Sequence, residues 1–294
     1  MRTSNVTERE ILSQPTVWRQ ALELDTSVPA FGRRGERVLF LGCGTSAYVS
    51  ESIAALRETA GHGTTDAGYA SEWLPGRMYD RIVVISRSGT TSEVLAVLEQ
   101  VPSGTATTAI VGVEGSPVAA AVDQALVLDF ADESSVVQTR FPSTVLVLAR
   151  RAFGEELTDL AAQCEAALTR PLPVRVADHS HFVFLGRTWT RGLAQEAALK
   201  VREAAQAWSE AYPALDYRHG PIAVAGAGSL VTLFGDLDSA LAADVRRTGA
   251  EVLHHDVDPL IQLALAQMLA IRLAEERGLD PDSPRHLTRS VVLS

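Results

Sequence analysis

Arg81-Ile82-Val83-Val84-Ile85, running into Ser86-Arg87-Ser88-Gly89-Thr90-Thr91, decides how this chain folds. Four apolar residues in unbroken succession read as a strand buried on both faces, because a strand with one wet face would alternate. Ser86 to Thr90 is a loop of small residues, and Thr91 to Gln100 reads as a helix opening on hydroxyls able to cap it. The same unit occurs once upstream, as strand Val38 to Leu41, the tight turn Gly42-Cys43-Gly44-Thr45 and a helix over Ser46 to Glu58. Thr107 to Val111 and Ala125 to Leu128 add short apolar strands. Buried strands alternating with helices predict an α/β fold with parallel sheets covered by helices on both faces.

Downstream, Phe182-Val183-Phe184-Leu185-Gly186 echoes Val38-Leu39-Phe40-Leu41-Gly42, and Ser229 to Leu233 takes the place of Ile82 to Ser86, so a tandem repeat is expected. The prolines of Arg170-Pro171-Leu172-Pro173 suit a connector. Two domains follow, one over residues 1–165 bearing the small-residue loops and one over 166–294.

With 294 residues, 46% of them apolar, the chain can bury a full core without a staple. Cys43 and Cys164 make no disulfide framework and have no zinc-type spacing, so no metal or cofactor is expected and a reducing, cytoplasmic setting fits. Met1-Arg2-Thr3-Ser4 leads into polar sequence rather than a signal core, and Leu260 to Ala274 is interrupted by Gln262, Gln267 and Arg272, so no membrane partner is expected. A net charge of −10 argues against a nucleic-acid surface. The absence of GxGxxG and of a Walker A lysine argues against a dinucleotide or a nucleoside triphosphate.

A small anion is another matter. Gly89 lets an oxyanion approach the backbone, and Ser86, Ser88 and Thr91 offer hydroxyl donors; Gly44, Thr45 and Ser46 repeat that character at the neighbouring strand end. Ser, Thr and Gly also make ordinary turns, but two such loops at the carboxyl edge of an open sheet favour a phosphate site. Further on, Glu196, Lys200 and Glu203 share one helical face. They are either an ordinary surface ion pair or two carboxylates flanking an ammonium for proton transfer. Ala197, Ala198, Val201, Ala204, Ala205 and Trp208 are expected as the opposing apolar stripe, and His219-Gly220-Pro221 as a turn.

Four segments then stand in a telling order. Cys43 to Ser46, Ser86 to Thr91, Gln195-Glu196-Ala197-Ala198-Leu199-Lys200-Val201-Arg202-Glu203 with Glu210-Ala211-Tyr212, and Arg218-His219-Gly220-Pro221 resemble the sugar isomerase (SIS) phosphosugar family, particularly the isomerase half of glucosamine-6-phosphate synthase. The likeness runs from about Val38 to Ser294. It implies two flavodoxin-like SIS domains, a homodimer with a shared active site, and a sugar phosphate held by Thr45, Ser46, Ser86, Arg87, Ser88 and Thr91, with Arg87 replacing the family's usual Gln. It also implies that Glu203 moves a proton between C1 and C2, that Lys200 stabilises enolate charge, and that His219 is supplied by the partner subunit for ring opening. Arg289, in the tail Asp282 to Val291, stands where the synthase has its Schiff-base lysine, and a permanently protonated guanidinium is no amine nucleophile.

No glutaminase segment precedes residue 38, so the synthase reaction is not expected. The expectation is enolisation of a hexose or hexosamine 6-phosphate, with isomerase or deaminase outcome. Dehydration of an N-acetylhexosamine 6-phosphate and non-catalytic phosphosugar sensing are the alternatives.

Overall fold

In the computed structural model, residues 5–24 and 29–293 are described, so the polar start Met1–Ser4 lies outside them. The elements in chain order are α1 (Val6–Leu12), α2 (Gln14–Glu23), β1 (Val38–Gly42), α3 (Thr45–Thr59), β2 (Thr65–Tyr69), β3 (Arg81–Ser86), α4 (Ser92–Leu98), β4 (Ala106–Val111), α5 (Pro117–Ala120), β5 (Gln124–Val127) and α6 (Arg140–Ala152). After these come α7 (Leu160–Leu168), β6 (His181–Gly186), α8 (Thr190–Ala205), β7 (Trp208–Pro213), β8 (Ser229–Leu233), α9 (Ser239–Arg247), β9 (Glu251–Leu253) and α10 (Pro259–Glu276).

The chain divides into two compact units. The first comprises Thr16–Thr158 with Thr288–Ser294, and the second Met1–Pro15 with Asp159–Leu287. This division differs from the sequence-based border at 165/166 because α7 packs on α10 and so goes with the second unit. The terminal segments differ as well. The Asp282 carboxylate accepts the backbone N–H groups of Val6 and Thr7 at 2.6 and 2.8 Å, tying the chain start to the second unit.

In the first unit all pairings are parallel and the strand order is β2-β1-β3-β4-β5, the flavodoxin-like arrangement. Leu39, Leu41, Ile82, Val84, Ala109 and Val111 form one buried face with Val94 and Val97 of α4. The alternate residues Val38, Phe40, Val83, Ile85 and Ile110 are equally buried, which is why these strands carry no polar alternation. The second unit repeats the pattern as β7-β6-β8-β9, again parallel, with a core of Val183, Leu185, Val231 and Leu233 against Leu241 and Val245 of α9. The predicted α/β class and repeat are both present.

Three strands have no apolar run to announce them. β2, β7 and β9 are edge strands, and Thr65-Asp66-Ala67-Gly68-Tyr69 is recognisable as a strand only through its pairing with β1. Trp208 is a correction to the predicted helical stripe. α8 stops at Ala205 because Gln206 adopts a left-handed conformation, φ 49° and ψ 38°, and Trp208 opens β7 with 70% of its surface exposed. No described helix is long and apolar enough to cross a membrane.

Candidate active site

The loops after β1 and β3 leave the carboxyl ends of adjacent strands, at the point where the strand order reverses. Gly44 turns the first loop with φ 52° and leads into α3, whose opening residues Thr45 and Ser46 are buried. In the second, the hydroxyls of Ser86 and Thr91 lie 3.0 Å apart, and Ser88 Oγ accepts both the N–H and the hydroxyl of Thr90 at 3.3 and 3.0 Å. The Thr91 hydroxyl makes no cap bond to α4; it faces Ser86 instead. Gly89 has φ 65°, and a Cβ there would stand 2.0 Å from Ser116 Oγ, so no other residue fits the turn without displacing a neighbour. The result is a concentration of hydroxyl donors around close-packed backbone, the chemistry that suits a phosphate monoester.

Arg87 belongs to this loop but turns inward. Its side chain is buried and donates to the carbonyl oxygens of Ser135 and Arg289 at 2.6 and 2.8 Å. Arg289 binds both carboxylate oxygens of Asp132, at 2.6 and 2.5 Å, and donates Nε to the Glu133 carbonyl at 3.1 Å. Sequence reading gave no role to Asp132, Glu133 or Ser135. Nothing in the local pattern connects residue 132 with residue 289, and only the folded tail brings them together.

The second unit carries the charged residues of α8. Lys200 Nζ lies 2.6 Å from Glu203 Oε2 and 3.2 Å from Glu196 Oε1. Side-chain exposure is 1% for both Lys200 and Glu196 and 18% for Glu203. The ordinary surface ion pair considered from sequence is therefore not what forms. Burial disfavours the Lys200 charge, but the carboxylates of Glu196 and Glu203 outweigh it and hold the ammonium above the usual lysine range. Lys200 is thus held in its charged form, and Glu203 is the one of its two carboxylate partners that solvent reaches.

His219 ends a short 3-10 turn, Asp216–His219, with its side chain exposed. The turn itself is anchored by Tyr217, fully buried against Tyr212 with ring centroids 5.7 Å apart, and by an Arg218 to Asp244 ion pair at 2.5 Å. Glu210, in the Glu-Ala-Tyr segment of β7, receives Tyr212 Oη and Trp208 Nε1 at 3.1 and 3.2 Å and lies 3.2 Å from His181 Nε2. Thr45, Ser46, Ser86, Arg87, Ser88, Thr91 and Arg289 thus belong to the first unit, and Glu196, Lys200, Glu203 and His219 to the second. Among the described residues no group of three or more His, Cys, Asp or Glu side chains is placed to hold a metal ion.

Residues 33–150 match the SIS domain family. The matched segment contains both hydroxyl-rich loops, Gly44 to Ser46 and Ser86 to Thr91. Over 97% of its length the chain is 29% identical to a glutamine–fructose-6-phosphate aminotransferase (isomerizing) from Methanothermobacter thermautotrophicus, and it spans 57% of that relative. Among solved structures it is similar to a glucosamine-6-phosphate deaminase from Thermotoga maritima, with 28% identity, a TM-score of 0.84, and coverage of 98% of this chain and 100% of that one. A tagatose-6-phosphate ketose/aldose isomerase from Escherichia coli shares the fold at 22% identity and a TM-score of 0.75, with 95% of each chain covered. The two parallel α/β units thus share the fold of these phosphosugar-isomerase-type structures.

Proposed function

We propose that this chain is an enzyme that enolises a hexosamine 6-phosphate, releasing the keto sugar phosphate by isomerisation coupled to deamination. The observation that carries the reading is the buried Glu196–Lys200–Glu203 cluster. A buried lysine between two carboxylates adds little to stability for what its desolvation costs, so its placement calls for a chemical reason.

In the opened sugar, Glu203 removes the proton from C2, and the Lys200 charge 2.6 Å from its carboxylate offsets the negative charge that develops as the enolamine forms. The protonated Glu203 returns the proton to C1. That leaves an imine at C2, which water hydrolyses to the ketone and ammonia. His219, which the sequence resemblance assigns to ring opening from the partner subunit of a homodimer, is held on an anchored turn with its side chain exposed. The hydroxyls of Thr45, Ser46, Ser86, Ser88 and Thr91 are assigned to the phosphate. The resemblance of these motifs to the phosphosugar family supports assigning cradle and cluster to one reaction. The similarity to a glucosamine-6-phosphate deaminase supports the choice of nitrogen loss.

The test is incubation of the purified protein with glucosamine 6-phosphate, its N-acetyl form and fructose 6-phosphate, with products followed by NMR. Formation of fructose 6-phosphate and ammonia from the first is expected. Turnover of none of the three would remove the enzymatic reading in favour of a sensor, and a product lacking the C3 hydroxyl would favour a dehydratase.

A further inference from the structure

Arg87 and Arg289, two positions at which this chain differs from the pattern of the family it resembles, are in contact with each other. Arg87 holds the backbone of Arg289 through its carbonyl, and the Arg289 side chain is held in turn by Asp132 and the Glu133 carbonyl. Asp132 accepts at both carboxylate oxygens from the single nitrogen Nη2, while Nε of the same planar guanidinium donates to the Glu133 carbonyl, two donor positions where a lysine at position 289 would bring one.

The residues that follow lie along the small-residue loop. Ser290 Oγ is 3.1 Å from Ser88 Oγ and 2.7 Å from Thr90 Oγ1, the Val291 carbonyl accepts the Ser92 N–H at 3.4 Å, and the Leu293 N–H donates to Ser92 Oγ at 2.9 Å. The tail thus engages Ser88, Thr90 and Ser92 in succession.

We infer that Arg87, Arg289 and Asp132 form a latch that fixes the tail along Ser86–Thr91, and that the latch positions the Ser290 hydroxyl as a further donor to the oxygens of a phosphate monoester. The second half rests on Ser86–Thr91 being the phosphate cradle; the first half does not. A phosphate oxygen is a stronger acceptor than the Thr90 hydroxyl that Ser290 meets now, so the same side chain would turn to it without moving the backbone. Arg87 and Arg289 are positioning residues in this account, and the tail is a fixed wall of the cradle rather than the carrier of a reacting amine.

Two measurements on the full chain separate the halves: the rate at which carboxypeptidase releases the C-terminal residues from the native, ligand-free protein, and the affinity for glucosamine 6-phosphate and for inorganic phosphate by calorimetry. Arg289→Ala and Asp132→Asn are each expected to speed release about tenfold, the double variant no further than either alone, and Arg289→Lys to fall between. Release rates equal to wild type, or additive effects in the double variant, would overturn the latch. Ser290→Ala is expected to weaken binding of both probes about fivefold while leaving release within about twofold of wild type. Unchanged affinity in Ser290→Ala removes the donor role. If the wild type binds neither probe, the cradle reading fails and takes the donor role with it, while the release rates still decide the latch.

Discussion

Lys200 donates to Glu203 across 2.6 Å while the Glu196 carboxylate stands 3.2 Å away on the same ammonium. One ammonium thus serves two carboxyl groups, and the one with solvent access is also the one nearest the lysine. That asymmetry makes Glu203 the member able to exchange a proton with a substrate. It leaves Glu196 and Lys200 as the fixed charges that orient it.

Replacing Glu203 by Gln keeps shape and hydrogen bonding but removes the base. Turnover of glucosamine 6-phosphate should fall roughly a thousandfold with little change in its affinity. NMR product rates and calorimetric binding on the same preparation check both parts, and full activity in this variant would exclude Glu203 as the base.

Lys200→Met leaves the buried Glu196 carboxylate without its cation. A loss of about 3–5 kcal/mol in unfolding free energy is expected, read from urea denaturation. The pH dependence has a definite sign. Burial opposes the Lys200 charge, the two carboxylates override it, and its folded pKa lies above the ordinary 10.5. Its contribution is therefore complete below that value and is lost as pH rises through the folded one. The wild type should show this alkaline loss and Lys200→Met should lack it.

Gly89→Ala places a Cβ 2.0 Å from Ser116 Oγ at a residue with φ 65°. A cost of about 1–3 kcal/mol and loss of phosphate affinity are expected. Gly104→Ala is the control: φ is 91° there, but nothing lies within 4 Å of the added carbon, so it should lose some stability and keep its phosphate affinity. Equal affinity in the two variants would show that the loop's shape does not matter for the anion.

Glu210 supplies an acid-side prediction. Burial raises its pKa, but hydrogen bonds from Trp208, His181 and Tyr212 outweigh this and leave the carboxyl below the ordinary 4.5. Its stabilisation is present above that value and lost as pH falls through the folded one. Because Trp208 Nε1 lies 3.2 Å from Glu210 Oε1, its fluorescence should change over that acid range in the wild type, and Glu210→Gln should abolish the change.

The amino-acid sequence by itself determined the parallel α/β class, the repeat, both hydroxyl-rich loops and the helical face of Glu196, Lys200 and Glu203. These are local: an unbroken apolar run, a Gly-Ser-Thr turn and a helical spacing carry their meaning within a dozen residues. The tertiary structure decided what local pattern leaves open. An i,i+4 pair reads the same on a wet surface as in a core, and only packing put Glu196 and Lys200 at 1% exposure. Edge strands such as β2 are polar enough to pass for loops until a neighbour pairs with them. Arg289, expected from the sequence among the substrate-binding residues and unsuited to an imine, meets Asp132 only because the folded tail brings it there.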